Sequence, residues 1–406
     1  MNLSKNQLII TVAVGVVILI FALVFSGIIP GLQNKKTNPA NIKAILNFWG
    51  VGDTNKDAYA GVFGSFKITY PNVAVNYRAF TDGAEYDTAL LEALAAGQGP
   101  DIFMVRNTDL PKQINKIAPF PQTQIAAAQF KQYFPQAAGQ DFTLGQNVYA
   151  LPLSIDTLAL VYNRDIFDQA AMPLPTSWQS WEDFTAAASK LEAKTETNDL
   201  LYLLMMQNGT KLSDNGGKGL VSFASPNGVQ ALNFYSPLYK AGAIDDFSQG
   251  KTAMTFAYAR DLPRIALKNG FLNFAVAPVP QPKNAALSIS YPSYWGYAVS
   301  RQSPNQALAW NFIIAMAVNE ATAKDYVEKT GNPPTLNSLI YKYQNDPALG
   351  VFARQALTAR SWYQADAEFI NKTVSGMINS FAKGGIQAIE ALNQAQSAIN
   401  QSLNKR

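Results

Sequence analysis

The sequence predicts an α/β protein, in which doubly wound, mostly parallel sheets are flanked by helices. The first observation is that apolar segments with strand-like alternation recur between segments with helical spacing, an order typical of parallel sheets. The second is size, because 406 residues exceed the roughly 100–200 residues of one domain. The third is the hydrophobic content of 48%, which is ample for packed cores. Two domains or two lobes are therefore expected.

The first part of the chain alternates strands with helices. Residues 42–48 place apolar side chains at alternate positions and predict a strand, whereas residues 59–70 carry them at helical spacing. Further strands are predicted at residues 73–79 and 101–105, on either side of a helix at residues 85–96. In an open α/β sheet, ligands bind beyond the carboxyl ends of the strands. The residues that follow these strands are therefore candidates for a binding site.

The rest of the chain continues this pattern and then becomes mostly helical. Strands are predicted at residues 158–162, 253–258, 272–279 and 296–300. Helices are predicted at residues 181–191, 306–318 and 321–330, and from residue 386 towards residue 403. The sequence contains no internal repeat and no low-complexity block.

Charge and composition exclude several classes of function. Three of the four net positive charges come from Lys5, Lys35 and Lys36, which precede residue 41, where no acidic residue occurs. A nucleic-acid partner is therefore not expected, because such proteins show a clustered basic excess. The chain has no cysteine and no histidine, which removes disulfides, thiolate catalysis and the commonest general base and metal ligand. We expect no catalytic residue, no metal and no cofactor.

Residues 8–29 carry no charged side chain and predict a transmembrane anchor. A spanning helix needs about 20 apolar residues, whereas the core of a cleavable signal has about 7–15. Residues 1–7 would then be cytoplasmic, and the polar residues 30–41 would form a tether. The lysines on both sides of the helix leave its orientation open. A single-pass protein of the cell membrane, in contact with the lipid bilayer, is expected.

Segments spread along the chain carry a resemblance to a known family. They are residues 94–103 (LAAGQGPDIF), 148–153 (VYALPL), 158–167 (LALVYNRDIF), 175–184 (PTSWQSWEDF), 249–255 (GKTAMT after Gln249), 274–280 (FAVAPVP) and 303–312 (SPNQALAWNF). In this order they resemble extracellular solute-binding proteins of family 1, the maltose-binding-protein-like receptors of ABC importers. The sequence lacks the lipid-anchoring cysteine that many members carry.

The resemblance implies a two-lobed fold of the periplasmic-binding-protein type II, which the chain crosses more than once. Residues 42–154 and 292–345 would form the first lobe, and residues 155–291 and 346–406 the second. A solute would bind between the lobes and draw them together by a hinge motion. The implied protein is a monomeric receptor and not an enzyme. Its binding domain would lie on the extracytoplasmic side and would deliver the solute to an ABC permease.

Position at predicted strand ends suggests the first candidate ligand-binding residues. Trp49 follows the first strand, where its indole face can stack on a sugar ring or cap the core. Arg106 and Asn107 follow the third strand. Asp53 either binds ligand or caps its helix.

The resemblance suggests further residues. Asp156 matches an acidic ligand-binding position of the family, and a carboxylate there can accept hydrogen bonds from two sugar hydroxyls. Trp362 matches a stacking tryptophan. Alternatively, Asp156 is a solvated acid at the hinge.

Two more pairs flank predicted strands near the crossings. Tyr294 and Trp295 precede the strand of the return crossing, and one of them is expected to line the cleft. Tyr258 and Arg260 end a strand where the family has an aromatic residue near position 260. This departure weakens the transfer of sugar specificity from the family.

The function predicted first is a receptor for a sugar or oligosaccharide. A receptor for a peptide, a polyamine or an anion is the alternative, and Arg106 and Arg260 would favour an anion because guanidinium groups pair bidentately with carboxylate and phosphate. A glycoside hydrolase with two carboxylates and an adhesive surface protein are the remaining alternatives.

Overall fold

The computed structural model describes residues 38–52, 56–121, 127–178, 180–213 and 219–404. The predicted anchor at residues 8–29, residues 1–7, most of the predicted tether and Asp53 lie outside the described residues. Within the described ranges, no helix is long and apolar enough to cross a membrane.

Strands and helices alternate along the described chain. The strands are β1 (Ala44–Val51), β2 (Val73–Phe80), β3 (Ile102–Arg106), β4 (Ile117–Ala118), β5 (Thr143–Leu144), β6 (Asn147–Val148), β7 (Leu151–Pro152), β8 (Asp156–Thr157), β9 (Ala159–Asn163), β10 (Ala193–Lys194), β11 (Met254–Ala257), β12 (Phe274–Ala277), β13 (Pro292–Ser293) and β14 (Trp295–Ser300). The helices before residue 200 are α1 (Ala60–Thr69), α2 (Gly83–Ala95), α3 (Leu110–Gln113), α4 (Ala127–Tyr133), α5 (Gln136–Phe142), α6 (Arg164–Gln169), α7 (Trp181–Ala188) and α8 (Asn198–Gln207). The later helices are α9 (Pro226–Tyr235), α10 (Ala243–Ser248), α11 (Leu262–Lys268), α12 (Gln306–Ala317), α13 (Glu320–Thr330), α14 (Asn337–Tyr343), α15 (Gly350–Ala356), α16 (Ala367–Ala382) and α17 (Ala388–Asn404).

Each lobe is built around its own sheet. The sheet of the first lobe has the order β2-β1-β3-β14-β4, with β7 also paired to β14, and the sheet of the second lobe has the order β10-β11-β9-β12. A two-stranded pair of β8 and β13 lies where the chain crosses between them. This topology gives two α/β units joined by crossing strands.

One strand in each sheet runs against the others. β14 is antiparallel to β3, β4 and β7, and β9 is antiparallel to β11 and β12. β9 follows the crossing strand β8 directly, and β14 follows the crossing strand β13 directly. Each of these strands therefore begins at the hinge and runs away from the hinge. The remaining strands point towards the hinge, and the loops after them meet between the lobes. The expectation of mostly parallel sheets is thus modified by one reversed strand per lobe.

The alternation of buried and more exposed side chains along β1 places apolar residues in the core of the first lobe. Leu46 and Phe48 are fully buried, and the Phe48 ring packs against Tyr59, Tyr297 and Phe312 at centroid distances of 5.2, 5.7 and 6.1 Å. In the second lobe, β9 is buried at every position because helices cover both faces of its sheet.

Helix termini are set by side chains that the sequence supplies. The Asp82 carboxylate accepts hydrogen bonds from the backbone N–H groups of Ala84 and Glu85 at the start of α2. Ser180 and Asp183 form a capping box at the start of α7. Such caps satisfy N–H groups that have no partner within the helix.

The crossings connect the lobes at several points. In the β8–β13 pair, Asp156 lies opposite Ser293 and Thr157 opposite Pro292. Besides the crossings at β8 and β13, the chain crosses between the lobes a third time, between α14 and α15. Ala353 and Ala356 of α15 contribute to the apolar cluster of the first lobe, so α15 packs between the lobes. The lobe boundary predicted at residues 345 and 346 stays a prediction.

Candidate functional site

Three neighbouring cavities lie between the lobes, and we name them by their position or most prominent residue. The arginine cavity has a volume of about 420 Å³ and is lined by Gly52, Asp57, Ala58, Ala259, Arg260, Pro263 and residues 329–332. The central cavity has a volume of about 370 Å³ and is lined by Ala84, Asp87, residues 106–108, Asp199, residues 291–295, Gln364, Ala367, Glu368 and Asn371. The tryptophan cavity has a volume of about 650 Å³ and is lined by Asn107, Thr108, Leu110, Pro111, Gln140, Asp141, Thr143, Leu144, Met206, residues 211–213, Ser361, Trp362 and Tyr363.

The three cavities adjoin one another, and together we call them the cleft. Arg260, on the arginine cavity, donates hydrogen bonds of 3.2 Å to the carbonyl and the hydroxyl of Ser293, which lines the central cavity. The central and tryptophan cavities share Asn107 and Thr108. Both lobes supply walls to every cavity. The cleft is therefore complete only while the lobes are in contact, and its shape suits an extended ligand.

Asp156 lies at the hinge, with both carboxylate oxygens in contact with protein. They accept hydrogen bonds from the backbone N–H groups of Ala259 at 2.9 Å and Arg260 at 3.1 Å, and the Arg260 guanidinium lies 3.6 Å away. Burial raises the pKa of Asp156 to about 6, although Arg260 and the two N–H groups act in the opposite direction. Asp156 thus ties the first crossing to the end of β11. Its predicted contact with ligand hydroxyls stays a prediction.

The Arg260 guanidinium stacks on the Tyr258 ring at the end of β11. The guanidinium carbon of Arg260 lies 4.0 Å from the centroid of the Tyr258 ring. Beneath it, the Tyr258 hydroxyl donates a hydrogen bond of 2.6 Å to Asp199. Burial raises the pKa of Asp199, and this hydrogen bond opposes the effect. Arg260 therefore faces the cleft, and the buried Tyr258 positions it.

Arg106 and Trp295 form the first-lobe wall of the central cavity. They lie opposite each other on β3 and β14, and the guanidinium carbon is 4.5 Å from the centroid of the indole ring. The same guanidinium pairs with Asp87 at 2.6 Å and Asp109 at 3.6 Å. Its charge is therefore neutralised within its own lobe.

Asn107 and Tyr294 meet a residue that sequence reasoning did not single out, Asp141. The Tyr294 hydroxyl donates to the Asp141 carboxylate at 2.6 Å, and the Asn107 amide donates to it at 3.4 Å. The Ser361 hydroxyl, from the second lobe, donates to the other oxygen. Burial raises the pKa of Asp141 to about 7, against the opposing effect of these three hydrogen bonds. The structure thus brings Asn107 and Tyr294 together around a carboxylate that reaches across the cleft.

Trp362 and Tyr363 form the second-lobe wall of the tryptophan cavity. Trp362 is only 7% exposed and meets the Tyr202 ring edge-on at a centroid distance of 5.2 Å. Gly219, which has a φ of +65°, approaches Tyr363 closely: a Cβ atom at Gly219 would lie 2.7 Å from the tyrosine ring. Only glycine allows this approach without strain.

Trp49 is placed apart from the other candidates. The prediction that it follows the first strand is wrong, because β1 continues to Val51. Its ring lies beneath the Arg78 guanidinium, with 4.6 Å between the guanidinium carbon and the ring centroid, and contacts Phe80 at 5.4 Å. Trp49 is not among the described residues that line the three cavities. Its predicted stacking on a sugar stays a prediction.

Acidic residues of the cleft do not form a metal site in the part of the chain that the structure describes. No group of three or more acidic side chains there is placed to hold a metal ion. Asp141 and Asp199 instead receive hydrogen bonds from tyrosine, serine, threonine and asparagine side chains. The cleft therefore offers hydrogen-bonding groups and aromatic rings.

Comparisons with known proteins match this architecture. The galactooligosaccharide-binding protein of Bacillus subtilis (strain 168) is 25% identical over 293 residues, which cover 64% of this chain and 68% of that protein. A cyclo/maltodextrin-binding protein in complex with maltotetraose has a TM-score of 0.76 at 18% identity, over 91% of this chain and 99% of that one. An ABC substrate-binding protein of Listeria monocytogenes, solved with cycloalternan, has a TM-score of 0.74 at 18% identity, over 89% of this chain and 100% of that one.

The structural similarities confirm the predicted two-lobed α/β fold. The aligned segments span about two thirds of the length of the curated relatives. The family described as bacterial extracellular solute-binding protein matches residues 62–351 of the chain. Its members bind solutes, and the prediction that the chain is not an enzyme is confirmed. The chain belongs to the bacterial extracellular solute-binding protein family.

Proposed function

We propose that the chain is the extracytoplasmic receptor of an ABC importer for an oligosaccharide. The observation that carries this proposal is the row of three adjoining cavities between the lobes. Their volumes lie within the range of about 300–1,000 Å³ that is usual for small-molecule sites. A linear chain of sugar rings fits such a row better than a compact solute does.

The chemistry of the tryptophan cavity supports a sugar ligand. Trp362 and Tyr363 offer ring surfaces to the C–H groups of a sugar, and Thr108, Asp141 and Ser361 offer oxygen atoms to its hydroxyls. A neutral polyol needs this combination because it has no charge to pair. The names of the relatives agree with it, since the galactooligosaccharide-binding protein and the protein solved with maltotetraose both take oligosaccharides.

The hinge explains how capture would occur. A ligand that contacts both lobes favours the arrangement in which they touch, because only that arrangement makes all the contacts. The crossing pair of β8 and β13 would act as the flexible connection. Residues 8–29, as a membrane anchor, would keep the receptor beside its permease. The permease, the bilayer contact and the monomeric state are parts of the proposal.

The charged side chains of the cleft distinguish between the alternative ligands. An anion finds little support, because Arg106 is paired with Asp87 and Asp109, and Arg260 with Asp156. A cationic solute such as a polyamine is the second candidate. Glu368 at the central cavity, which forms no ion pair among the described residues, favours it.

A thermal-shift screen of the purified protein separates these ligands. We expect the melting temperature to rise with maltotetraose or a galactooligosaccharide and to stay constant with spermidine, phosphate and short peptides. A ligand that binds only the native state stabilises it by about 2.7 kcal/mol at 100 times its Kd. The variant Trp362→Phe should weaken the shift. The matched control Trp178→Phe, at a site that packs against Phe167 in the second lobe, should not.

A melting temperature that rises only with spermidine would replace the oligosaccharide by a cationic solute. A rise only with phosphate would show that Arg106 and Arg260 bind an anion in spite of their acidic partners. Equal loss of the shift in both tryptophan variants would mean that Trp362 acts through the fold and not through the ligand.

A further inference from the structure

A cavity of about 400 Å³ lies at the edge of the first-lobe sheet, between the edge strand β2 and helix α1. It is lined by Lys56, Phe63, Phe66, Lys67 and residues 71–75. Phe66 and Val73 are buried and give the cavity an apolar floor, whereas both lysines are exposed at its rim. None of these residues lines the three cavities of the cleft. The cavity is therefore separate from the proposed solute site.

The surface around this cavity is basic. Residues 38–52 and 58–81, which contain β1, α1 and β2, have no acidic side chain. Helix α12, which packs against α1 through Phe312, has no charged side chain at all. Asp57, the acidic residue nearest in the sequence, lines the arginine cavity instead. Three lysines of this surface form no ion pair among the described residues, namely Lys43, Lys56 and Lys67.

Apolar side chains lie exposed beside these lysines. Ile68, next to Lys67 near the end of α1, is 84% exposed, and Ile45 of β1 is 56% exposed. Ile45 lies opposite Ala74, which lines the cavity, and Lys43 precedes it by two residues. Lysines beside exposed aliphatic side chains suit a membrane interface, where ammonium groups meet anionic headgroups and aliphatic groups reach the acyl boundary. We call this surface the basic edge and define it by five residues, Lys43, Ile45, Lys56, Lys67 and Ile68.

The chain reaches the first lobe at the same surface. Residues 38–41 lie beside the turn before β2, because the Asn72 side chain donates a hydrogen bond of 2.7 Å to the carbonyl of Ala40. Asn72 itself lines the cavity. Only residues 30–37 separate this point from the predicted anchor, and a chain of that length spans at most about 26–29 Å. With residues 8–29 in the bilayer, the basic edge stays within about this distance of the membrane.

We propose that the basic edge docks the first lobe on the headgroups of anionic phospholipids in the membrane that holds the chain. The inference rests on the proposed function only in placing the bilayer beside the first lobe through residues 8–29. Docking leaves the solute site free, because no residue of the basic edge lines the cavities of the cleft. The receptor is then held against the membrane surface and captures its solute there.

The absence of cysteine allows a site-specific test on the full chain. A fluorophore on Thr69→Cys, next to Ile68, reports energy transfer to acceptor-labelled lipids, and the same fluorophore on Leu287→Cys, at a 74% exposed position of the second lobe, is the control. The chain is reconstituted into vesicles of phosphatidylcholine, alone or mixed with an equal part of phosphatidylglycerol. We expect transfer from position 69 to increase with phosphatidylglycerol and transfer from position 287 to stay low. Salt at about 1 M, where the Debye length is about 3 Å, should remove the increase.

Two pairs of substitutions test the lysines themselves. In Lys43→Gln with Lys67→Gln, the ratio of docked to undocked protein should fall about 25-fold, because each lysine near an anionic surface contributes a factor of about five. The matched pair Lys372→Gln with Lys383→Gln replaces exposed lysines in and directly after α16 of the second lobe and should keep the wild-type transfer. Equal transfer from position 69 with both lipid mixtures overturns the proposal, and so does an equal effect of the two pairs.

Flotation of the full chain with phosphatidylcholine vesicles tests the anchor separately. A chain that floats but shows equal transfer with both lipid mixtures keeps its anchor and has no docking surface. A chain that does not float with phosphatidylcholine lacks the proposed anchor at residues 8–29. Flotation with phosphatidylglycerol vesicles, abolished by the first lysine pair, would then still support the basic edge, whereas no flotation with either lipid would overturn it. No sugar is added, so the result does not depend on the oligosaccharide proposal.

Discussion

Replacing Arg106 by alanine should destabilise the protein at neutral pH far more than the loss of one surface arginine would. The guanidinium makes three contacts in the structure: the Trp295 ring at 4.5 Å, Asp87 at 2.6 Å and Asp109 at 3.6 Å. The ring contact and the half-exposed pair with Asp87 contribute about 0.5–1 kcal/mol each. Asp109, whose side chain is 12% exposed, would lose the cation that opposes its burial.

An uncompensated carboxylate at such a depth costs about 1–3 kcal/mol more. We therefore expect Arg106→Ala to lower the free energy of unfolding by about 2–4 kcal/mol at pH 7.5. Burial raises the pKa of Asp109, and removal of the cation raises it further. Protonation of this carboxyl group relieves the penalty, so the variant should recover stability as the pH falls from 7.5 to 5.

Urea unfolding of four proteins tests this reasoning. The matched control is Arg78→Ala, because Arg78 lies over the Trp49 ring at 4.6 Å and has no ion pair among the described residues. That variant should lose about 0.5–1 kcal/mol at either pH. The double variant Arg106→Ala with Asp109→Asn should recover most of the loss at pH 7.5. Equal losses for the two arginines, or a loss at Arg106 that persists at pH 5 and in the double variant, would refute the role assigned to Asp109.

Two other substitutions should lower the free energy of unfolding because of the contacts that they change. Gly219→Ala should cost about 1–3 kcal/mol in thermal unfolding, since a φ of +65° is strained for alanine and the added Cβ atom would lie 2.7 Å from the Tyr363 ring. The helical control Gly64→Ala, which has open space around it, should instead stabilise the protein by up to about 1 kcal/mol; destabilisation by both would contradict the argument. Tyr258→Phe removes the 2.6 Å donor to Asp199 and should cost about 1–3 kcal/mol at pH 7.5 but less at pH 5, where the raised pKa of that carboxyl group favours its protonated form. A pH-independent cost in urea unfolding would show that the hydrogen bond is not the cause.

Local patterns predicted the seven strands of four or more residues, and none of the seven two-residue strands. The periodicity of β9 and β14 identified both strands near their observed positions, but it carries no information on direction. Direction is fixed by where the chain enters the lobe, which depends on the crossings. The end of β1 was placed three residues early, at residue 48 and not at Val51. The error put Trp49 after the strand.

Some of the helices that were not predicted had readable signals. In α16, Ile370, Val374, Met377 and Ile378 recur at helical spacing and are all buried or nearly so. In contrast, α5 follows a proline without a side-chain cap and buries mainly small residues, among them Ala137, Ala138 and Gly139. A short segment of this composition has no pattern that distinguishes it from a loop.

Asp141 could not be predicted from the sequence, because it lies in α5 and because its partners are distant in the sequence. Its partners Tyr294 and Ser361 lie 153 and 220 residues further along the chain. Only the folded arrangement of two lobes brings them together. Conversely, Arg106 and Asn107 could be placed at the cleft from strand-end position alone, because the ends of neighbouring strands meet at one edge of a sheet.

Isothermal titration calorimetry with maltotetraose and with a galactooligosaccharide tests whether the interlobe cleft binds an oligosaccharide. We expect one binding site per chain for at least one of the two sugars. We also expect affinity to fall at least tenfold in Tyr363→Ala, at the cleft wall, while Tyr341→Ala, a 61% exposed tyrosine of the first lobe, binds like the wild type. No binding heat with either sugar, or an affinity that Tyr363→Ala leaves unchanged, would contradict the claim that the interlobe cleft is an oligosaccharide site.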